Sequence, residues 1–192
     1  KISLENENKN IYYNLSPKGT ALITIGLALG GLKPFVCANL SDSLDMLSSI
    51  KLSSTSKENV TYIFVNDTIY TDKYNKISSP IFELGILRSI PDITLFRPAD
   101  VNELVGSWDY VMNKKGTNIL VLTSDFKGRL ASTSKELTTK GAYIVKKEMG
   151  RLSGILVSSG SELETTLRLS EELESLGIFT RVVSMPSFNL YS

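Results

Sequence analysis

Apolar runs and helix breakers alternate most densely between Leu84 and Glu103, LGILRSIPDITLFRPADVNE. Leu84, Ile86, Leu87 and Ile90 recur at helical spacing and give one apolar face. Pro91 stops that helix, because its ring excludes a further turn and it has no backbone donor. Ile93 to Phe96 is too short for a helix and predicts a buried, interior strand. Pro98-Ala99-Asp100 opens the next helix, with Asp100 placed to cap the free amides ahead of Val101, Leu104 and Val105.

The same reading runs along the chain. Ile11 to Leu15 predicts a strand, and Ser16-Pro17 is an N-cap followed by proline at the first helical position. The helix continues to about Leu29, where Gly30-Gly31 ends it. Ala21, Leu22, Ile23, Ile25, Leu27, Ala28 and Leu29 surround most of its circumference, which implies cover on every side. Phe35 to Ala38 reads as a strand, Ser41 to Leu52 as a helix started by Ser41, and Lys51 to Asn59 as a Ser/Thr/Lys-rich surface loop. Val60 to Val65 is an interior strand.

Asn66 to Ser79 has neither period and predicts a long surface excursion before Pro80 begins the helix that Pro91 ends. A helix from Asn102 to Met112 and a strand from Asn118 to Thr123 follow, then a polar crossing from Asp125 to Gly141. Ala142 to Lys147 and Ile155 to Val157 are strands, and Ser161 should cap a helix to Leu176, with Glu162 and Glu164 favouring its positive end. Short strands alternating with longer helices predict an α/β fold: a mainly parallel sheet with flanking helices, then the start of a second small α/β domain. The crossing divides the chain into domains 1–128 and 129–192.

Composition narrows the classes. Lys and Arg number 21 against 20 Asp and Glu, a net charge of +1, so no electrostatic footprint for nucleic acid or an acidic membrane is evident. Ala21 to Leu32 is the longest apolar run, too short to span a bilayer and interrupted by Thr24, Gly26, Gly30 and Gly31. Cys37 stands alone between Val36 and Ala38 and reads as a buried small hydrophobe. A cytoplasmic protein is the expectation. The chain has no histidine, which removes the commonest metal ligand and the usual near-neutral acid or base. It starts without Met on KISLENENKN and stops just after a strand, as a piece of something larger would.

The block Leu84 to Glu103 resembles the transketolase family, in which helix, R-x-IP, strand and RPAD-x-NE run through the domain that holds the thiamine pyrimidine ring. Ser158-Ser159-Gly160-Ser161-Glu162 and, after the next helix, Arg181-Val182-Val183-Ser184-Met185-Pro186 resemble the ATGSE and RVVSMP blocks that open that family's C-terminal domain. The resemblance covers roughly Lys9 to the end and implies the thiamine-diphosphate-binding pyrimidine-domain fold. A separate N-terminal domain of the family carries a GDG…N motif for magnesium and diphosphate, so an intact cofactor site would need another chain or a further segment.

The family's chemistry can be checked by position. The cofactor needs a carboxylate against its pyrimidine, because that hydrogen bond promotes the tautomer that deprotonates the thiazolium carbon. Aligned on the family's IRYGIREHAMG run, Pro17 stands where the Glu should be and Lys18 replaces the His. The aromatic wall of the family falls at Asn39, Asp42 and Asp45, none of which has a ring face. Asp42 and Asp45 could make a carboxylate pair or metal ligands, or be helix-start charges beside the Ser41 cap. In the loop that supplies two histidines, Asn66 and Ser78 take their places, with Asp67-Thr68-Ile69 and Pro80 kept and the glycines gone. The phosphate-binding Arg aligns with Ser124, and Arg129 is five residues away.

Two functions follow. The first is a non-catalytic, transketolase-like module, structural or regulatory, that keeps the family's dimer interface and pairs with itself or a homologous transketolase-like chain. It has no catalytic residue, no metal and no cofactor, and its interface residues are Leu22, Ile25 and Leu29 on the apolar helix, with the helix Ser41 to Leu52 beside it. The second is a divergent transketolase half that takes part in ketol transfer between sugar phosphates, with thiamine diphosphate and magnesium as cofactors.

Overall fold

The structure is a computed structural model that describes residues 16–67, 81–123 and 128–191. The expected strand from Ile11 to Leu15, nearly all of the excursion including Ser78, the start at Pro80, and Ser124 lie outside the described residues. Helix α1, Pro17–Leu29, begins as its sequence requires: Pro17 is the first helical residue, and the Ser16 hydroxyl accepts from the Gly19 N–H. Gly31, at φ 85°, takes the left-handed turn after it.

Strands β1 (Phe35–Asn39), β2 (Thr61–Val65), β3 (Ile93–Phe96) and β4 (Thr117–Val121) form one sheet in the order β1-β2-β4-β3, all parallel. Helices α2 (Leu47–Thr55), α3 (Ile81–Arg88) and α4 (Val101–Asn113) connect them. After a short helical turn, α5 (Lys135–Thr138), come β5 (Tyr143–Lys146), β6 (Leu152–Ser158), α6 (Glu162–Ser175) and β7 (Phe179–Ser184). The second sheet, β5-β7-β6, is mixed, because β6 runs parallel to β7 and β5 antiparallel to it.

The pleat of β2, β3 and β4 divides the core between two faces. Tyr62, Phe64, Leu95, Ile119 and Val121 join Ala21, Ala28, Met46, Ile50 and Leu87 beneath α1, α2 and α3. Ile63, Phe96 and Leu120 face the other way and meet Val111, Trp108 and Tyr110 of α4, with Leu190 from the last residues added to them. Every residue of β4 is buried, as an inner parallel strand between two covered faces requires. Burying each large apolar side chain here contributes roughly 1.5 to 3 kcal/mol.

Several expectations change. Ile93 to Phe96 is buried but not interior: among the described residues β3 is an edge of its sheet. Just past its end the Arg97 N–H donates to the Pro186 carbonyl and the Arg97 carbonyl accepts from the Gly160 N–H, so the second unit joins the chain where that edge strand stops. Ser41 starts no helix. The chain first makes a 3-10 turn, Leu40–Ser43, whose cap is Asn39, its N–H donating to the Asp42 carboxylate at 3.3 Å, and α2 begins at Leu47. The expected loop after Lys51 is helical to Thr55, and two of its serines are buried. Their hydroxyls find partners that no local pattern announces: Ser53 donates to the Ile50 carbonyl and meets the Tyr62 hydroxyl, and Ser54 donates to the Pro91 carbonyl.

Cys37 is exposed, because β1 is the other edge among the described residues and its face toward α4 is only partly covered. Ser161 gives α6 no side-chain cap; its hydroxyl turns to the Glu162 carboxylate instead. The polar crossing contains α5, and Thr133 before it and Thr138 within it are buried. Helix α1 is covered on one side only: Ala21, Thr24, Ile25 and Ala28 are buried, whereas Leu22 and Leu29 are 48% and 69% exposed.

Candidate functional site

In open parallel sheets, ligands bind beyond the carboxyl ends of the strands. Here those ends carry Asn39 as the last residue of β1, Asn66 and Asp67 after β2, Arg97 after β3 and Thr123 after β4. Asn66 holds φ 63°, a left-handed conformation that Asn tolerates better than most residues, and this turns its amide back toward β1. The Asn66 Nδ2 donates to the Asn39 Oδ1 at 2.7 Å. Both the N–H and the Nδ2 of Asn39 donate to the same Asp42 oxygen at 3.3 Å. Three of the sequence-identified positions are therefore brought into one hydrogen-bonded chain. Asp45 is exposed and is not among those partners. Pro17 and Lys18 sit in the first turn of α1, with Lys18 exposed.

A second cluster centres on Arg97, which is 8% exposed. Its Nε pairs with buried Asp67, and its Nη1 donates to the Ser159 carbonyl at 2.6 Å. The guanidinium also grips Glu162 with two nitrogens, Nη2 donating to Oε1 at 3.0 Å and Nη1 to Oε2. This fork satisfies both carboxylates with one planar cation, a task for which arginine geometry is suited. Burial disfavours the charged guanidinium, but the bonds to Glu162 and Asp67 outweigh it and raise the Arg97 pKa. For Glu162, burial pushes the carboxyl up, and Arg97 overrides that and holds it below the usual carboxylate range.

Arg88 lies with its guanidinium 4.0 Å from the centroid of the Phe188 ring. Burial, and after it the charge of Arg97, lowers its pKa. Arg129 is far from a simple replacement for the residue at Ser124. It lines a hollow between the first turns of α4 and α6 together with Ala99, Asp100, Leu130, Ser161 and Glu164. Two carboxylates in that lining make it a poor seat for an anion.

The strand-end arrangement can bind by hydrogen bonds, through amides and one carboxylate already engaged with each other. Asp67 and Arg97 are paired with each other, and the Asp42 carboxylate accepts from Asn39. Among the described residues, no group of three or more Cys, Asp or Glu is placed to hold a metal ion. Sequence reasoning singled out Asn39, Asp42 and Asn66 but missed the Arg97–Glu162 pairing. The signal was present, since Arg97 and Glu162 each stand in one of the two motif blocks, but nothing local says that they meet.

Comparison with known proteins adds the ancestry. Residues 2–125 match the family described as transketolase, pyrimidine binding domain, and residues 141–192 match the transketolase-like C-terminal domain. A chloroplastic transketolase of Solanum tuberosum is 35% identical over 191 residues, 96% of this chain and 26% of that protein. The chain thus spans about a quarter of the length of the curated relatives it matches. Among solved structures, the transketolase of Campylobacter jejuni superposes with a TM-score of 0.87 at 28% identity, over 95% of this chain and 29% of that one. A split-gene transketolase, described as an inactive β4 tetramer, superposes with a TM-score of 0.78 at 18% identity over 96% of this chain and 59% of its own, a likeness of fold alone.

Proposed function

The chain belongs to the transketolase family, and from that premise we propose that it is a non-catalytic member: a pseudoenzyme module with a structural or regulatory role exercised through an inherited pairing surface. The observation that carries this reading is Pro17. At the start of α1, where the family places the carboxylate that activates its cofactor, stands a ring without a proton to exchange, held there by good helix-start chemistry. Asn39 and Asp42, at two positions of the family's aromatic wall, offer amide and carboxylate groups bonded to each other instead of a stacking face. These residues do not fit the pyrimidine of thiamine diphosphate, so no step of a reaction is derived through it. Asp45, Asn66, Ser78 and Ser124 extend the same substitution pattern.

Calorimetry of the protein with thiamine diphosphate and magnesium is expected to show no binding heat above dilution. Pro17→Glu alone should give no ketol transfer, since the ring faces and both histidines would still be missing. Micromolar binding by the natural chain, or turnover by that variant, would favour the second reading: a divergent transketolase half acting with thiamine diphosphate and magnesium. That reading draws on the relatives, which are named as transketolases.

The pairing surface is argued from α1. Leu22 and Leu29 lie on its uncovered side, and Leu52 of α2 and Leu44 before it are also exposed. A helix with leucines on an open side gains roughly 1.5 to 3 kcal/mol for each one covered by a partner. The partner is a second copy or a homologous transketolase-like chain, and the compartment is the cytoplasm. Among the described residues no helix is long and apolar enough to cross a membrane. Ile25 is buried within the chain, so its replacement would probe folding instead of pairing. Sedimentation at micromolar concentration should show a dimer or larger species, and Leu22→Asp with Leu29→Asp should shift it to monomer without unfolding. A wild-type monomer, with variants equally soluble, would remove the interface from the proposal. We also place the boundary between the two units at residues 128 and 129.

A further inference from the structure

The motif Arg97 to Glu103 has more polar residues than a helix start needs, and those after Arg97 also reach outside their own sheet. Asp100 caps α4 with one oxygen, accepting from the Glu103 N–H at 3.0 Å. Its other oxygen accepts from the Leu130 N–H at 2.8 Å and the Thr133 hydroxyl at 2.6 Å, both in the crossing. Asn102 donates to the Thr133 hydroxyl at 3.0 Å. Glu103, with no exposed surface, spends one oxygen on the Ala99 N–H at 2.8 Å. The other accepts from two strands of the second sheet: the Tyr143 hydroxyl of β5 at 2.7 Å and the Ser184 hydroxyl of β7 at 2.6 Å.

We propose that the turn from Asp100 to Glu103 is a conformational coupling joint, through which the first turn of α4 holds the second sheet in place and makes both sheets open as one cooperative unit. A helix start needs only its cap to be satisfied, and Asp100 Oδ1 does that alone. A buried carboxylate is costly to keep unless donors surround it. Here two of the three donors belong to the second sheet, so Glu103 is satisfied only while that sheet is docked. Burial raises the Glu103 pKa, and the bonds from Ser184, Ala99 and Tyr143 oppose that rise, which is the electrostatic trace of the same dependence. The joint stands independently of whether the module is catalytic.

Native-state hydrogen exchange tests it, with amides in β6 and β7 read against those in β2 and β4. In the natural chain the slowest amides of both sheets should exchange with the same protection. Glu103→Gln alters only α4, yet it should speed exchange in β6 and β7 by about tenfold or more, as expected for losing a charge-assisted bond, and by more than in β2 and β4, which lose only what global stability loses. Tyr143→Phe, a milder change that keeps the ring, should act in the same direction, and adding it to Glu103→Gln should cost little further. Unequal protection in the natural chain, an equal rise in both sheets, or full additivity of the two substitutions would each overturn the joint. Should Glu103→Gln fail to fold, Tyr143→Phe alone decides: unchanged exchange in β6 and β7 refutes the proposal.

Discussion

Arg97→Ala should destabilise the chain by about 3 to 5 kcal/mol, the cost of removing one partner from a buried ion pair. The loss concentrates on Asp67, which is 5% exposed and would be left as a buried carboxylate without its cation, whereas Glu162 reaches water more readily and can be rehydrated. Arg97→Lys should recover only part of the loss, because a single ammonium cannot reproduce the fork that holds Asp67, Glu162 and the Ser159 carbonyl together. Urea unfolding followed by far-UV dichroism measures both. An Arg97→Ala midpoint within about 1 kcal/mol of the natural chain would place the cluster with exposed ion pairs, which contribute little.

Gly106→Ala should lower stability where helix propensity alone says it should rise. In an open helix the exchange gains about 1 kcal/mol. At Gly106 a Cβ would stand 2.3 Å from the Lys135 carbonyl oxygen and 3.0 Å from the Thr138 Cβ, so α4 and α5 would have to separate. Backbone atoms give way less readily than a flexible side chain, and overpacking of this kind costs about 1 to 3 kcal/mol or more. The net melting shift should be downward by several degrees. Gly26 in α1 supplies the contrast, since a Cβ there meets nothing within 4 Å, and Gly26→Ala should raise the melting temperature. An upward shift at Gly106 as well would mean that α5 is not seated against α4.

Much of the site was legible one residue at a time. Ser16-Pro17 and Asp100 announce helix starts because capping is a contact within three residues, and the chain itself supplies both partners. The four parallel strands could be read for the same kind of reason: apolar runs of that length, set between helices, have few other ways to be buried. The bond from Asn66 to Asn39 could not be read in this way. It joins positions 27 residues apart, and only the parallel register of β1 and β2 brings their ends together.

Sequence by itself therefore determined the family and the identity and order of most elements. Tertiary structure decided the rest. Among the described residues it put β3 on an edge and bonded Arg97 at its end to residues 160 and 186, exposed Cys37, and buried Ser53 and Ser54 in a helix that composition reads as a loop. It also brought Arg97 and Glu162, from two distant motifs, into a single cluster, and made Glu103 a partner of β5 and β7. Local patterns record the free energy of short-range contacts, such as caps, turns and one apolar face. Whether a polar side chain is buried, and which donor meets it, depends on how separate elements pack, and that free energy is shared among residues far apart in the chain.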